Sequence, residues 1–150
     1  MTTLDNISLI KRWFREVWLE GKNETIYELL APDAVLSGQT GAQEEIHGPK
    51  EFAAFADRIR NAFPDTDIVV EDVFGVDDKV AVRWSAKMIH KGDGLGVPAT
   101  GKEVRITGMS IARIVKGKIV EGWDNWDRLA MLEQIGAYRP PEAVILAKSA

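Results

Sequence analysis

The order of elements along the chain predicts an α+β fold, a curved antiparallel sheet with about three N-terminal helices forming a cone with an internal pocket. Three observations carry this expectation. The first third holds stretches with apolar residues at helical spacing, the middle and end hold long runs with period-two alternation, and the breaks between them fall at Gly and Pro. Helices stacked on one face of a curved sheet bury both apolar surfaces and leave a cavity where the helices stop short.

The first helix is expected from a cap at Asp5 or Asn6 to about Glu20, with Gly21 as its stop. Ile10, Trp13, Phe14, Val17 and Trp18 form its buried stripe. A short second helix runs from Glu24 to Leu30, ending before Ala31-Pro32-Asp33, and a short strand follows around Val35 and Leu36. The segment SGQTGAQEEIHG reads as a polar loop, with His47 as a capping or loop-anchoring residue. Pro49 suits the first turn of a third helix, whose stripe is Phe52, Phe55, Ala56, Ile59 and Phe63. Strands are expected at Asp67–Val76 and Lys79–His90, then a Gly- and Pro-rich loop, GDGLGVPATG. It is not followed by a helix, which argues against nucleotide binding there. After the last two strands come a short helix near Leu129–Gln134 and a tail, RPPEAVILAKSA, whose apolar patch is expected to pack on the body. The 150 residues are read as a single domain.

The stretch KEVRITGMSIARIVKGKIVEGWDNWD is the centre of the reading. It predicts two long strands joined at Val115-Lys116-Gly117 by a three-residue loop that pairs Ile114 with Lys118. That register sets Ser110 opposite Gly122 and Gly108 opposite Asp124. Side chains alternate, so Ile106, Gly108, Ser110, Ala112, Val120, Gly122, Asp124 and Trp126 share one face. This face is small and apolar and carries a single carboxylate, an arrangement better suited to lining a pocket than to filling a core. Glu121 and Asp127 fall on the other face with structural roles, Arg113 pairing with Glu121. Thr107, Met109, Ile111 and Trp123 also point outward, and exposed apolar area of that kind marks an interface. A homodimer packed sheet to sheet is expected, with a tetramer as the alternative.

Composition excludes several classes. Net charge is −4 with acids and bases interspersed, so no nucleic-acid or membrane partner is proposed. There is no cysteine, hence no disulfide framework or thiol chemistry, and two histidines do not make a metal site. The N-terminus MTTLDN does not resemble a signal peptide, and no apolar run approaches the roughly 20 residues of a membrane span. A soluble cytoplasmic protein is expected.

Read in order and spacing, HGPKEFAAF, FPD, VAVRWSAKMIHKG, GLGVPATGKEV, SIARIVKGKIVEGWDNWD and LAMLEQIG resemble the SnoaL-like polyketide cyclases (ester cyclases) of the nuclear transport factor 2-like superfamily. The resemblance spans roughly Ile7 to Ala137. It implies ring closure by intramolecular aldol condensation without metal or organic cofactor. An aspartate on the last long strand serves as acid/base, and Asp124 matches it. The histidine that assists it on the preceding strand falls at Ser110 here, a departure from the pattern. His90 also matches the family pattern, with a less defined role.

The residue types suit this chemistry. An aldol step needs a base for a proton α to a carbonyl and a donor for the developing alkoxide. A carboxylate serves when desolvation raises its pKa. The candidate catalytic residues are therefore Asp124, Ser110 and His90, the last equally readable as a structural histidine. The candidate substrate contacts are Trp13, Phe14, Trp84, Met88, Gly108 and Trp126, with only Trp13 or Phe14 of the first helix expected to reach the cavity. The ligand is expected to be a small hydrophobic or aromatic molecule. Two other readings keep the pocket: an epoxide hydrolase-like or hydroxylase-like enzyme in which Asp124 activates water, and a non-catalytic protein that binds a small apolar ligand.

Overall fold

The computed structural model describes residues 2–41, 44–139 and 141. The first helix, α1 (Thr3–Trp13), is capped by Thr2, not by Asp5 or Asn6. The Thr2 hydroxyl accepts from the Asp5 N–H at 3.1 Å, and the Thr2 N–H donates back to the Asp5 carboxylate at 2.8 Å. Asp5 is thus the third helical residue of a capping box, satisfying a donor that would otherwise be orphaned. From Phe14 to Leu19 the helix widens to π geometry, which buries Phe14 and Val17. It ends at Gly21, where φ is +68°.

Helix α2 (Asn23–Leu29) leads directly into β1 (Leu30–Ser37), far longer than the expected strand at Val35 and Leu36. Pro32 interrupts the ladder without ending the strand, because the pairing of β1 shifts register between Leu30 and Val35. The polar segment after β1 contains a further strand, β2 (Glu45–His47), antiparallel to β1. Its brevity and charged ends left no alternation to read. Helix α3 (Gly48–Ala62) has Pro49 in its first turn and His47 at its N-cap position. The His47 side chain makes no capping bond; its backbone N–H donates to Glu51 at 3.1 Å.

Strands β3 (Asp67–Val76), β4 (Lys79–Ile89), β5 (Glu103–Val115) and β6 (Lys118–Trp126) follow, then α4 (Arg128–Gln134). Asp127 caps α4 by accepting from the Ala130 N–H at 3.0 Å. The six strands form one sheet in the order β2-β1-β6-β5-β4-β3. All neighbours are antiparallel except β1 and β6, which run parallel. The apolar patch expected in the tail lies outside the described residues.

The β5–β6 register differs from the expected one. Val115 pairs with Lys118 across a two-residue turn, with φ of 51° at Lys116 and 75° at Gly117. A bulge then leaves Val120 unpaired, so that Arg113 meets Glu121 and Ser110 meets Asp124. The Arg113–Glu121 pair closes at 2.7 Å on the outer face.

Two apolar clusters fill the space between helices and sheet. One joins α1, the π segment, α2 and α3 to the middle of the sheet. The other joins Phe63, Met131 of α4 and Ile135 just after it to Met88, Val104 and Ile106. Among the described residues no helix is long and apolar enough to cross a membrane.

Candidate active site

Asp124 sits two residues before the end of β6, on the sheet face that the helices cover. Its neighbours are set by three strands. Ser110 of β5 lies opposite it, and Gln39 approaches from the segment that leaves β1. Gln39 is 3% exposed and donates its Nε2–H to Asp124 Oδ2 at 3.0 Å. Trp126 fixes the backbone of that segment, donating its Nε1–H to the Gln39 carbonyl at 3.0 Å. The Ser110 hydroxyl accepts from Trp84 Nε1–H at 3.3 Å.

These contacts set the acidity of the carboxyl. Burial pushes the Asp124 pKa above the ordinary carboxylate value, and hydrogen bonds from Ser110 and Gln39 partly oppose the rise. Desolvation wins because two neutral donors replace only part of the water a free carboxylate would bind. Gln39 Oε1 has no hydrogen-bond partner among the described residues.

Asp124, Ser110 and Gln39 border a cavity of about 120 Å³. Apart from Thr66, whose hydroxyl donates to the Phe63 carbonyl, the rest of its wall is apolar and rich in rings, with Trp13, Phe14 and Trp18 from the first helix, Phe52 and Phe55 from α3, and Trp84 and Trp126 from the sheet. Among the described residues Asp124 is the only charged one that lines it, and no Lys, Arg or His faces it. The space is comparable to engineered apolar cavities of about 150 Å³ that hold one aromatic ring.

The expected contacts are placed as follows. Trp13, Phe14, Trp84, Met88 and Trp126 line the cavity, and Trp18 joins them, so the first helix contributes more than one aromatic ring. Phe14 and Trp18 stand four residues apart and so share a face of the helix, Phe14 beside Trp84 of the sheet and Trp18 edge-on to Phe52 and Phe55 of α3. Gly108 lies beneath the Trp84 indole and does not line the cavity.

His90 stands apart from Asp124. It is wholly buried against Phe63, with ring centroids 5.5 Å apart, and is not among the cavity residues. Its Nδ1 accepts from the Thr100 N–H at 3.2 Å and lies 3.0 Å from the Thr100 hydroxyl, holding the end of the Gly-rich loop. Gln39 is the polar partner of Asp124 that sequence reasoning missed. Its only signal was a preceding glycine in a loop already rich in glycine. Among the described residues no cluster of three or more His, Asp or Glu side chains could hold a metal ion.

Comparison with known proteins places the chain in a family. The family model for SnoaL-like polyketide cyclase matches residues 8–135. The aklanonic acid methyl ester cyclases DauD of Streptomyces sp. (strain C5) and DnrD of Streptomyces peucetius are each 28% identical over 132 residues. The match covers 87% of this chain and 81% and 90% of theirs, respectively. Among solved structures, wild-type IdmH of Streptomyces antibioticus is 33% identical with a TM-score of 0.72, covering 87% of this chain and 98% of that one. A SnoaL-like protein of Jannaschia sp. CCS1 is 26% identical with a TM-score of 0.83, covering 93% and 95%.

Proposed function

The chain belongs to the SnoaL-like polyketide cyclase family, and we propose that it is a cyclase-like enzyme that closes a ring by aldol-type acid/base chemistry on a hydrophobic carbonyl substrate of polyketide type. One observation carries this reading: a single carboxylate, raised in pKa, at the wall of a cavity otherwise built of apolar and aromatic side chains. Perturbed acids in such pockets are the usual mark of proton-transfer sites.

In this reaction Asp124 removes a proton from the carbon between two carbonyl groups, leaving an enolate. The enolate carbon attacks a ketone carbon of the same molecule, forming the new C–C bond while the ketone oxygen becomes an alkoxide. The proton held on Asp124 returns to that oxygen, so the ring closes with no atom gained or lost. A desolvated carboxylate is a stronger base than a hydrated one, and its conjugate acid remains a competent donor. Ser110 and Gln39 keep it in place while its protonation changes. The aromatic walls favour a flat, neutral substrate.

The test is proton exchange with a compact β-diketone such as 2-acetylcyclohexanone in deuterated water, followed by NMR. The enzyme is expected to speed deuterium entry at the carbon between the carbonyls above the buffer rate. No acceleration, together with solvent oxygen entering a product, would support water activation instead. Tight binding with no exchange would support a carrier.

A homodimer is the second part of this reading. Phe74, Ala81, Ile111 and Trp123 lie in one cross-strand row on the outer face of the sheet, with Phe74 65% and Ile111 45% exposed. Such an apolar row, with Met109 and Val76 exposed in the rows beside it, suits sheet-to-sheet contact. Sedimentation is expected to give twice the 16.6 kDa chain mass, and Ile111→Arg to halve it. Wild-type protein that sediments as a monomer would overturn the dimer.

A further inference from the structure

We propose that Trp84 and Gly108 are positioning residues for Asp124: the bare Cα of Gly108 lets the Trp84 indole cross β5 and donate its N–H to the Ser110 hydroxyl, which turns the hydroxyl proton toward the carboxylate. The proposal rests on the reading of Asp124 as the acid/base.

Trp84 of β4 and Gly108 of β5 are direct cross-strand partners on the face that carries the cavity. A side chain of any size at position 108 would stand where the indole lies. A Cβ built there falls 2.3 Å from Trp84 Cζ2 and 2.5 Å from Cε2, far inside contact distance. The glycine therefore clears a path along β5, and the indole follows it to Ser110, two residues on and on the same face. There Nε1–H meets Ser110 Oγ at 3.3 Å.

An indole can only donate, whereas a hydroxyl both donates and accepts. Once the Ser110 oxygen accepts from Trp84, its own proton is free for another acceptor. The pair directly across the ladder is Asp124, whose other polar neighbour, Gln39 Nε2, is itself a donor. The chain of donors then runs in one direction, from indole to hydroxyl to carboxylate, and each link polarises the next. A lone serine could rotate its proton toward a backbone carbonyl instead. With the tryptophan in place, a short neutral side chain becomes a fixed donor, in the position where the family resemblance implies an imidazole. Hydrogen bonding from Ser110 to the ionised carboxyl is one of the effects that hold the Asp124 pKa down.

Titration of the Asp124 side-chain carboxyl by carbon-13 NMR, assigned by comparison with Asp124→Asn, reads this arrangement without any substrate. Ser110→Ala is expected to raise the Asp124 midpoint. Replacing Trp84 alone with benzothienylalanine, which exchanges the N–H for sulfur and keeps the ring shape, is expected to raise it in the same direction. Combining the two changes is expected to raise it no further than Ser110→Ala alone. Trp84→Phe serves as a second variant, with circular dichroism to confirm that it folds. An unmoved midpoint in the benzothienylalanine protein, or shifts that simply add in the combination, would overturn the proposal. A shifted midpoint alongside full turnover by Asp124→Asn would leave the relay standing and remove only the catalytic reading.

Discussion

Asp124→Asn is expected to cut turnover by roughly 10²- to 10⁴-fold, the range that a positioned general acid/base supplies. An amide keeps the size of the carboxyl and can still accept from Gln39, so the cavity is left in shape while the proton acceptor is lost. The same change is expected to stabilise the fold at neutral pH. In the wild type, burial raises the folded-state pKa of Asp124 above its unfolded value, so the folded protein holds the proton more tightly. That contribution to stability is fully present below the unfolded pKa and is lost as pH rises through the folded one. The advantage of Asp124→Asn in denaturant midpoint should therefore widen from acid toward neutral pH and then level off. Wild-type turnover should fall on the acid side with a midpoint above that of an ordinary carboxylate. A variant both inactive and less stable at neutral pH would mean that Asp124 is a structural anchor. Full activity would remove it from the chemistry altogether.

Why the inward face of Asp124 was legible while its partner was not follows from the turn. A three-residue loop pairs Ile114 with Lys118, but Lys116 and Gly117 both adopt positive φ and close a two-residue turn, sliding the register by one residue. The bulge at Val120 slides it by one more. Side chains repeat every two residues, so two single slips leave the far end of the hairpin on the same face. Asp124 stayed inward, yet its opposite number became Ser110 in place of Gly108. Close to the turn the slips do not cancel, and Ile119, only 3% exposed, takes the buried place expected of Val120. The bulge has no sequence signature of its own, since neither Val120 nor Glu121 needs an unusual backbone. Similarly, Ala31-Pro32-Asp33 reads as a break, but a proline is tolerated where the ladder is already irregular. With β1 cut short, the approach of Gln39 to β6 could not be seen.

That approach makes Gly38→Ala the substitution with the largest expected effect on stability. Gly38 has φ of +90°, and a Cβ there would lie 2.0 Å from the backbone oxygen of Asp124 and 3.0 Å from its carbonyl carbon. Alanine is opposed twice. The left-handed backbone disfavours it by roughly 1–2 kcal/mol. The overlap with β6, which no side-chain rotation relieves, adds about 1–3 kcal/mol in the manner of an overpacked core. A total loss of about 2–5 kcal/mol is expected from the denaturant midpoint at unchanged slope. Gly96→Ala separates the two effects, because Gly96 has φ of +78° and nothing within 4 Å of a built Cβ. It should show the backbone penalty alone. The clash also bears on the site. Relief requires the segment after β1 to move away from β6, and that segment carries both the Gln39 amide on Asp124 and the Gln39 carbonyl that receives the Trp126 N–H. Whatever fraction of Gly38→Ala folds should titrate Asp124 at higher pH than the wild type, having lost a donor to the ionised form. Equal losses for Gly38→Ala and Gly96→Ala, with the Asp124 midpoint unmoved, would show that β1 and β6 do not approach as closely as the site requires.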